Sequence, residues 1–397
     1  MTWRAAPSAL LPWLAALLLA LLPFSIAAVE ILALLLIVAW AFARAGGRQP
    51  SAWRDPSLRR TAIAGAAFFL LCAASILVSA HPVSSLRALI GKWLEYLFLM
   101  VVMVEVGARP RAFSALALVM AGASAAVAGE ALWQEATGQG LLRHHLLNVY
   151  GRMSGPYTNP ADLAAYLMVT IPIVAGVAVS SRRWLRVVLC VILVVLFGCF
   201  FRTMTTGAWV ALAAASVLVL GRDRQGRRLV LSGLAVLALG GAIVLARGGS
   251  LAAAFGLWDA GTQDRVYMWQ SALRMISDRP WLGHGLNTFM ANYLAYWVGG
   301  EQAPRYAHNC YLQMAAETGV AGLAAFVALL GTACLTLWRA LPGRLADRSV
   351  FCGFAIAVAA FVLQAAVDTN FYSLRQAALF WSLLGLALGA ARARAFR

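Results

Sequence analysis

Apolar runs of membrane-spanning length recur from end to end of the 397-residue chain, separated by short polar stretches rich in arginine. A helix needs about twenty apolar residues to cross the hydrocarbon core of a bilayer. On that measure the pattern predicts twelve spans, at 9–24, 26–43, 61–80, 88–107, 112–133, 161–180, 185–201, 205–221, 229–246, 309–338, 349–367 and 377–391. The first two share one apolar run and meet near Pro23–Ser25, which predicts a tight hairpin. Met1–Ala28 also carries signal-peptide features, but the second apolar run follows at once and favours a retained span. A membrane barrel would show alternating ten-residue segments, which are absent. The expected fold is therefore all-α: a polytopic membrane protein of about 12 transmembrane helices with one large outer loop. Three regions follow: helices one to nine with short loops in 1–246, the large loop in 247–308, and helices ten to twelve in 309–397.

Composition agrees with that pattern. Hydrophobic residues make up 62% of the chain and charged ones 12%, whereas soluble proteins run near 45–50% and about 25%. The formal net charge of +17 comes from 31 arginines against few acids, with Lys92 the one lysine. In a soluble protein such a balance suggests a nucleic-acid partner. Here the charges sit in loops, where they report orientation, and no nucleic-acid partner is expected. Counted on alternate sides of the twelve-span reading, 21 cations fall on one side and 10 on the other. The richer side, which holds both termini, is then cytoplasmic. The six cysteines form no CxxC pair, and all but Cys310 lie within or at the edge of apolar runs, so neither a disulfide framework nor a metal site is expected.

One loop breaks the orientation rule. Residues 247–308 lie on the outer side yet carry five arginines, and loops of that length are usually functional. Arg265, Arg274, Arg279 and Arg305, with Arg152 and Arg202 at nearby span ends, compose a cationic surface suited to phosphate oxygens. A solvated basic loop is the plain alternative for any one of them. Arg202 has no acid nearby in sequence, which points toward an anionic ligand unless a neighbouring helix supplies Glu or Asp. His308-Asn309, just ahead of the tenth span, offers a group able to accept a proton near neutral pH, although a lone histidine at an interface is more often structural. Glu317, nine residues beyond Asn309's neighbour His308, gives no metal-ligand spacing. Lys92 and Glu95 are three apart and are expected to pair on one helical face.

The segment Arg265-Val266-Tyr267-Met268-Trp269, followed by Pro280-Trp281-Leu282-Gly283-His284-Gly285 and Phe289, resembles the loop signature of the O-antigen ligase/polymerase superfamily. His308-Asn309, nine residues, then Gly319 and Gly322 is similar to the His-Asn-x9-Gly-x-x-Gly pattern of lipopolysaccharide O-antigen ligases. Arg152-Met153-Ser154-Gly155-Pro156-Tyr157-Thr158-Asn159-Pro160 resembles a further family stretch. One departure stands at Thr205-Thr206-Gly207, where the family usually reads Ser-Arg-Gly. Thr206 occupies the arginine's place, and Arg202 lies one helical turn earlier.

The resemblance implies a GT-C-like membrane glycosyltransferase of the bacterial inner membrane, working at its periplasmic face. Its donor would be undecaprenyl-pyrophosphate-linked O-antigen and its acceptor the lipid A–core sugar, with no cofactor and no metal. Carried over, His308 would activate the acceptor hydroxyl, and Arg265 would bind the pyrophosphate with Arg202, Arg152, Lys92 and Arg305. Asn309, Gly319, Gly322 and Trp269 would support the motif. Two rivals remain. An O-antigen polymerase shares donor and architecture, and one Arg-x10-Gly spacing of its kind runs from Arg274 to Gly285. A lipid-linked glycan transporter is the rival from a different class, though the paired repeats many transporters show are not evident.

Overall fold

The computed structural model describes residues 6–45, 55–147, 151–222, 224–228, 231, 260–299, 302, 306–341 and 349–395. All but one residue of the expected span 229–246, and Arg305, lie outside them. The described residues are helical apart from turns and one isolated bridge between Gln139 and Leu146. In chain order the helices are α1 (Ala6–Leu21), α2 (Ile26–Ala45), α3 (Pro56–Ile76), α4 (Pro82–Ala88), α5 (Glu95–Gly107), α6 (Pro110–Thr137), α7 (Pro160–Ser180), α8 (Arg183–Arg202), α9 (Thr206–Leu220), α10 (Ala260–Asp278), α11 (Phe289–Tyr293), α12 (Cys310–Ala340), α13 (Ser349–Gln364) and α14 (Leu374–Ala395).

Seven of these are long and apolar enough to cross a membrane: α2, α3, α6, α7, α8, α12 and α14. Three shorter apolar stretches stand where spans were expected, Ala9–Leu21, Thr206–Leu220 and Ser349–Gln364. Polar residues and prolines set the ends: Asp55 and Asn159 cap α3 and α7 with side-chain oxygens, each ahead of a proline in the first turn.

Helices this apolar gain little from hydrophobic burial within lipid, so they associate by close backbone contact. Side chains at Gly107, Gly385 or Gly389 would overlap the facing backbone of α14 or α5, and Gly176 and Gly353 likewise bring α7 onto α13. Beneath one end of the bundle, Phe68, Trp93, Phe326, Phe361, Phe371, Phe380 and Trp381 form a continuous aromatic core.

Two sequence expectations change. Leu89–Leu94 is a π-helix joining α4 to α5, and its wider turn alters the angular spacing of Lys92 and Glu95. Among the described residues neither takes part in an ion pair. The tenth span is not one continuous helix either. At Gly319 the backbone leaves helical space (φ 72°, ψ 178°), which divides α12 into a nine-residue stub, 310–318, and the helix proper from Val320.

The two ends of the bundle differ in character. At one, Arg44 joins Glu105 beside Trp40, Arg392 meets Asp55 at 3.1 Å, and Arg222 lies 4.9 Å over the Trp338 ring. The other end carries the long connections, with α10 and α11 folded over it.

Candidate functional site

The loop end is organised around the break in α12. A helix interrupted at Gly319 leaves Ala316 O, Glu317 O and the Val320 N–H without partners inside the helix. The turn after α10 supplies all three. His284 N donates to Ala316 O (3.0 Å), Gly285 N to Glu317 O (2.8 Å), and Val320 N to Pro280 O (2.7 Å). The fit requires glycine on both sides. Gly283 and Gly319 have φ of +66° and +72°, and a Cβ on either would run into the other's backbone strand. The Pro-x-x-Gly-x-Gly turn and the glycine of the His-Asn-x9-Gly pattern are thus two halves of one joint.

Helix α10 is seated by the same joint. Its buried face, Met268, Ala272 and Met275, packs with Phe289, Tyr293, Ala307 and Ala316. His284, 3% exposed, donates from Nε2 to Met275 O at the end of α10 (3.1 Å). Burial, with help from Arg279 beside it, holds the imidazole pKa below its ordinary value, against the opposing pull of the Met275 carbonyl and Asp278. Arg279 ties the turn down by donating to Val78 O (2.8 Å).

Glu317 is fully buried. Its carboxylate accepts from Asn287 N (2.7 Å), Phe289 N (3.3 Å), Gln313 Nε2 (3.1 Å) and the Tyr372 hydroxyl (3.2 Å). Four donors thus satisfy a carboxyl group that is wholly withdrawn from solvent.

His308 sits at the start of the stub in a left-handed backbone conformation (φ 49°). Asn309 follows as the helix cap, its Oδ1 accepting from Tyr311 N and Leu312 N, each at 3.0 Å. The imidazole is about one third exposed, and its Nδ1 lies 4.0 Å from Asp368 Oδ1. Asp368 is oriented by Thr369 N (2.8 Å) and Gln364 Nε2 (3.3 Å). An imidazole open to the surface on one side and facing an oriented carboxylate on the other can accept a proton and have the resulting charge balanced.

The arginines divide by environment. Arg202 pairs with Glu135 at the end of α6, so its acid comes from a neighbouring helix, sixty-seven residues away in sequence, rather than from a ligand. Arg152 donates to Thr203 O (2.9 Å) and Thr205 Oγ1 (3.2 Å), which straps residues 151–153 to the α8–α9 turn. Arg265 is half-buried on α10, three residues before Met268 on the same face. Among the described residues it has no hydrogen-bond or ion-pair partner. Trp269 lies beside it, half-buried. Lys92 is half-buried in the π-helical turn next to Trp93, whose ring packs against Tyr372 (6.0 Å). Gly322 lies one turn past the break, where a Cβ would collide with the Thr318 side chain.

Three residues of this end were not singled out for chemistry from the sequence: Glu317, Asp368 and Arg375. Arg375 is buried over the Tyr157 ring (4.2 Å) and donates to Pro23 O (2.8 Å) and Pro156 O (3.4 Å). It joins the α1–α2 hairpin to the strap before α7. Each is a charged residue in or beside an apolar run, which is the signal that marks such positions. Among the described residues no group of His, Cys, Asp and Glu is arranged to hold a metal ion.

Residues 191–327 match a protein-family model described as O-antigen ligase. The matched stretch begins in α8, takes in α10 and the docked turn, and ends five residues past Gly322. No curated protein matches the chain.

Proposed function

We propose, for a chain whose residues 191–327 match the O-antigen ligase family model, that it is an O-antigen ligase. In this reading it moves O-antigen polysaccharide from undecaprenyl pyrophosphate to the lipid A–core sugar in lipopolysaccharide synthesis. It is a twelve-span, GT-C-like enzyme of the inner membrane, with both termini cytoplasmic and the α10 end periplasmic. The single observation that carries the reading is the His308–Asp368 pair, half-open to the surface and attached to the joint that also seats the Arg265 helix.

The chemistry asks for little beyond positioning and charge. His308 takes the proton from the acceptor hydroxyl as that oxygen bonds to the donor sugar's anomeric carbon. The bond from that carbon to the phosphate oxygen breaks, and its electron pair leaves with undecaprenyl pyrophosphate. Asp368 balances the imidazolium. Arg265 meets the departing negative charge, a role for which an uncommitted guanidinium beside the site is suited. Its approach to His308 is supported by the way α10 lies. The Met275 end is tied through His284 to Ala316, and Met268 and Ala307 belong to one apolar cluster.

Arg202 and Arg152 contribute less directly, the first sharing its charge with Glu135 and the second holding the Thr203–Thr205 turn. Lys92 and Arg305 remain further pyrophosphate ligands in this proposal. Asn309, Gly319, Gly322 and Trp269 act as its supports. No metal and no cofactor takes part.

A lipopolysaccharide gel from cells lacking the gene, run beside extracted lipid-linked glycan, tests the reading. Core-only lipopolysaccharide with long glycan accumulating on the lipid carrier is expected. Core capped with a single repeat would assign a polymerase instead, and unaltered ladders would exclude both.

A further inference from the structure

The four hydrogen bonds at Glu317 reach three separate parts of the chain. Asn287 N and Phe289 N belong to the segment leading into α11, which packs on α10. Tyr372 follows Asp368 by four residues and shares its short connection between α13 and α14. Gln313 is the third arm. Its Nε2 donates to Glu317 while its Oε1 accepts from Ala307 N (3.1 Å), the residue immediately before His308. The left-handed His308 backbone is therefore pinned from one side by Gln313 and from the other by the Asn309 cap. We infer that Glu317 is the positioning residue of the site, a buried carboxyl group whose three arms set His308, Asp368 and the α10 loop in register with one another.

The inference rests on the ligase reading above. It adds to it a residue that touches neither substrate. An apolar residue at 317 would leave two backbone N–H groups and two side-chain donors buried without acceptors. The alternative to a filled hub is therefore a rearranged one. A glutamine keeps the volume but turns an NH2 group toward donors, so at least one arm must let go. Its oxygen can still serve the others, which makes Glu317→Gln a test of register rather than of folding.

The experiment uses the full-length protein in membrane vesicles, with undecaprenyl-pyrophosphate-linked glycan and lipid A–core as the probes. Glu317→Gln, Gln313→Ala, Tyr372→Phe and His308→Ala are compared by kcat, by donor KM, and by limited proteolysis of the 279–289 turn. Glu317→Gln is expected to lower kcat on the order of a hundredfold, the usual effect of displacing a reacting group by about 1 Å. Gln313→Ala removes only the arm to Ala307. It should lower kcat about tenfold while donor KM and protection of the turn stay at wild-type values, a split that general destabilisation would not give. Wild-type kcat in Gln313→Ala or in Glu317→Gln, with His308→Ala inactive, would overturn the positioning role and leave the ligase reading intact. An active His308→Ala would remove the base of that reading itself.

Discussion

Replacing Gly319 with alanine tests the joint on which the loop end depends. The perturbation has two parts. Alanine at φ 72°, ψ 178° occupies a region tolerated essentially by glycine alone, a strain of about 1–3 kcal/mol. Its Cβ would also overlap the Trp281 carbonyl, so the turn must lift. Lifting gives up three hydrogen bonds, His284 N to Ala316 O, Gly285 N to Glu317 O and Val320 N to Pro280 O, each contributing about 0.5–1.5 kcal/mol. A turn that lifts relieves the strain but forgoes about 1.5–4.5 kcal/mol of docking, which shifts the docked-to-undocked ratio by roughly one to three powers of ten. The bundle helices keep their own contacts, so expression and membrane insertion should persist. The assay is limited proteolysis of the 279–289 turn beside glycan transfer. Gly331→Ala on the same helix, where a Cβ meets nothing within 4 Å, serves as the control. Full protection and full transfer in Gly319→Ala would refute the account of the joint.

Arg265→Ala should lower kcat/KM for the lipid-linked donor by at least tenfold, with Arg265→Lys restoring little because the bidentate geometry is lost; unchanged kinetics would remove Arg265 from pyrophosphate binding. Glu135→Ala and Arg202→Ala should each lower thermal stability by no more than about 1 kcal/mol, since both groups are a third or more exposed; a much larger drop in either would show the pair to be structural. His284 titrates below its ordinary value in the docked turn. The undocked turn therefore binds the extra proton, and docking should weaken as pH falls below about 6.5, which proteolysis at graded pH would read as earlier cleavage. EDTA is expected to leave transfer unchanged, and inhibition reversed by a divalent ion would require a metal in the reaction.

Most of the helical layout was legible because spanning length and apolar content set each segment independently of its neighbours. The π-helix at 89–94 was not. A turn widened within a continuous apolar run leaves no mark in composition. The site was legible as motifs but not as parts. His308-Asn309 and the glycines stood out by their resemblance to a family pattern, yet their division of labour appears only when residues 280–285 meet 316–320. Glu317 fails as a metal ligand on spacing, and its actual work depends on donors from 287, 289 and 372. Arg202 looked uncommitted because Glu135 lies at the far end of another helix. Partners brought together by packing have no local signature.

The break at Gly319 also sets a depth. From Val320 to Ala340 the helix is 21 residues, a rise of about 31 Å at 1.5 Å per residue, close to the roughly 30 Å of a bilayer's hydrocarbon. With that segment set across the bilayer, the nine-residue stub before the break would stand above the acyl chains, where an unbroken helix of 31 residues would have to tilt or thicken the membrane around it. In the proposed reading His308 would then lie at the level of the lipid headgroups. A lipid-linked donor of the kind proposed would keep its tail in the oil and its sugar in water, and meet the imidazole at the boundary between them.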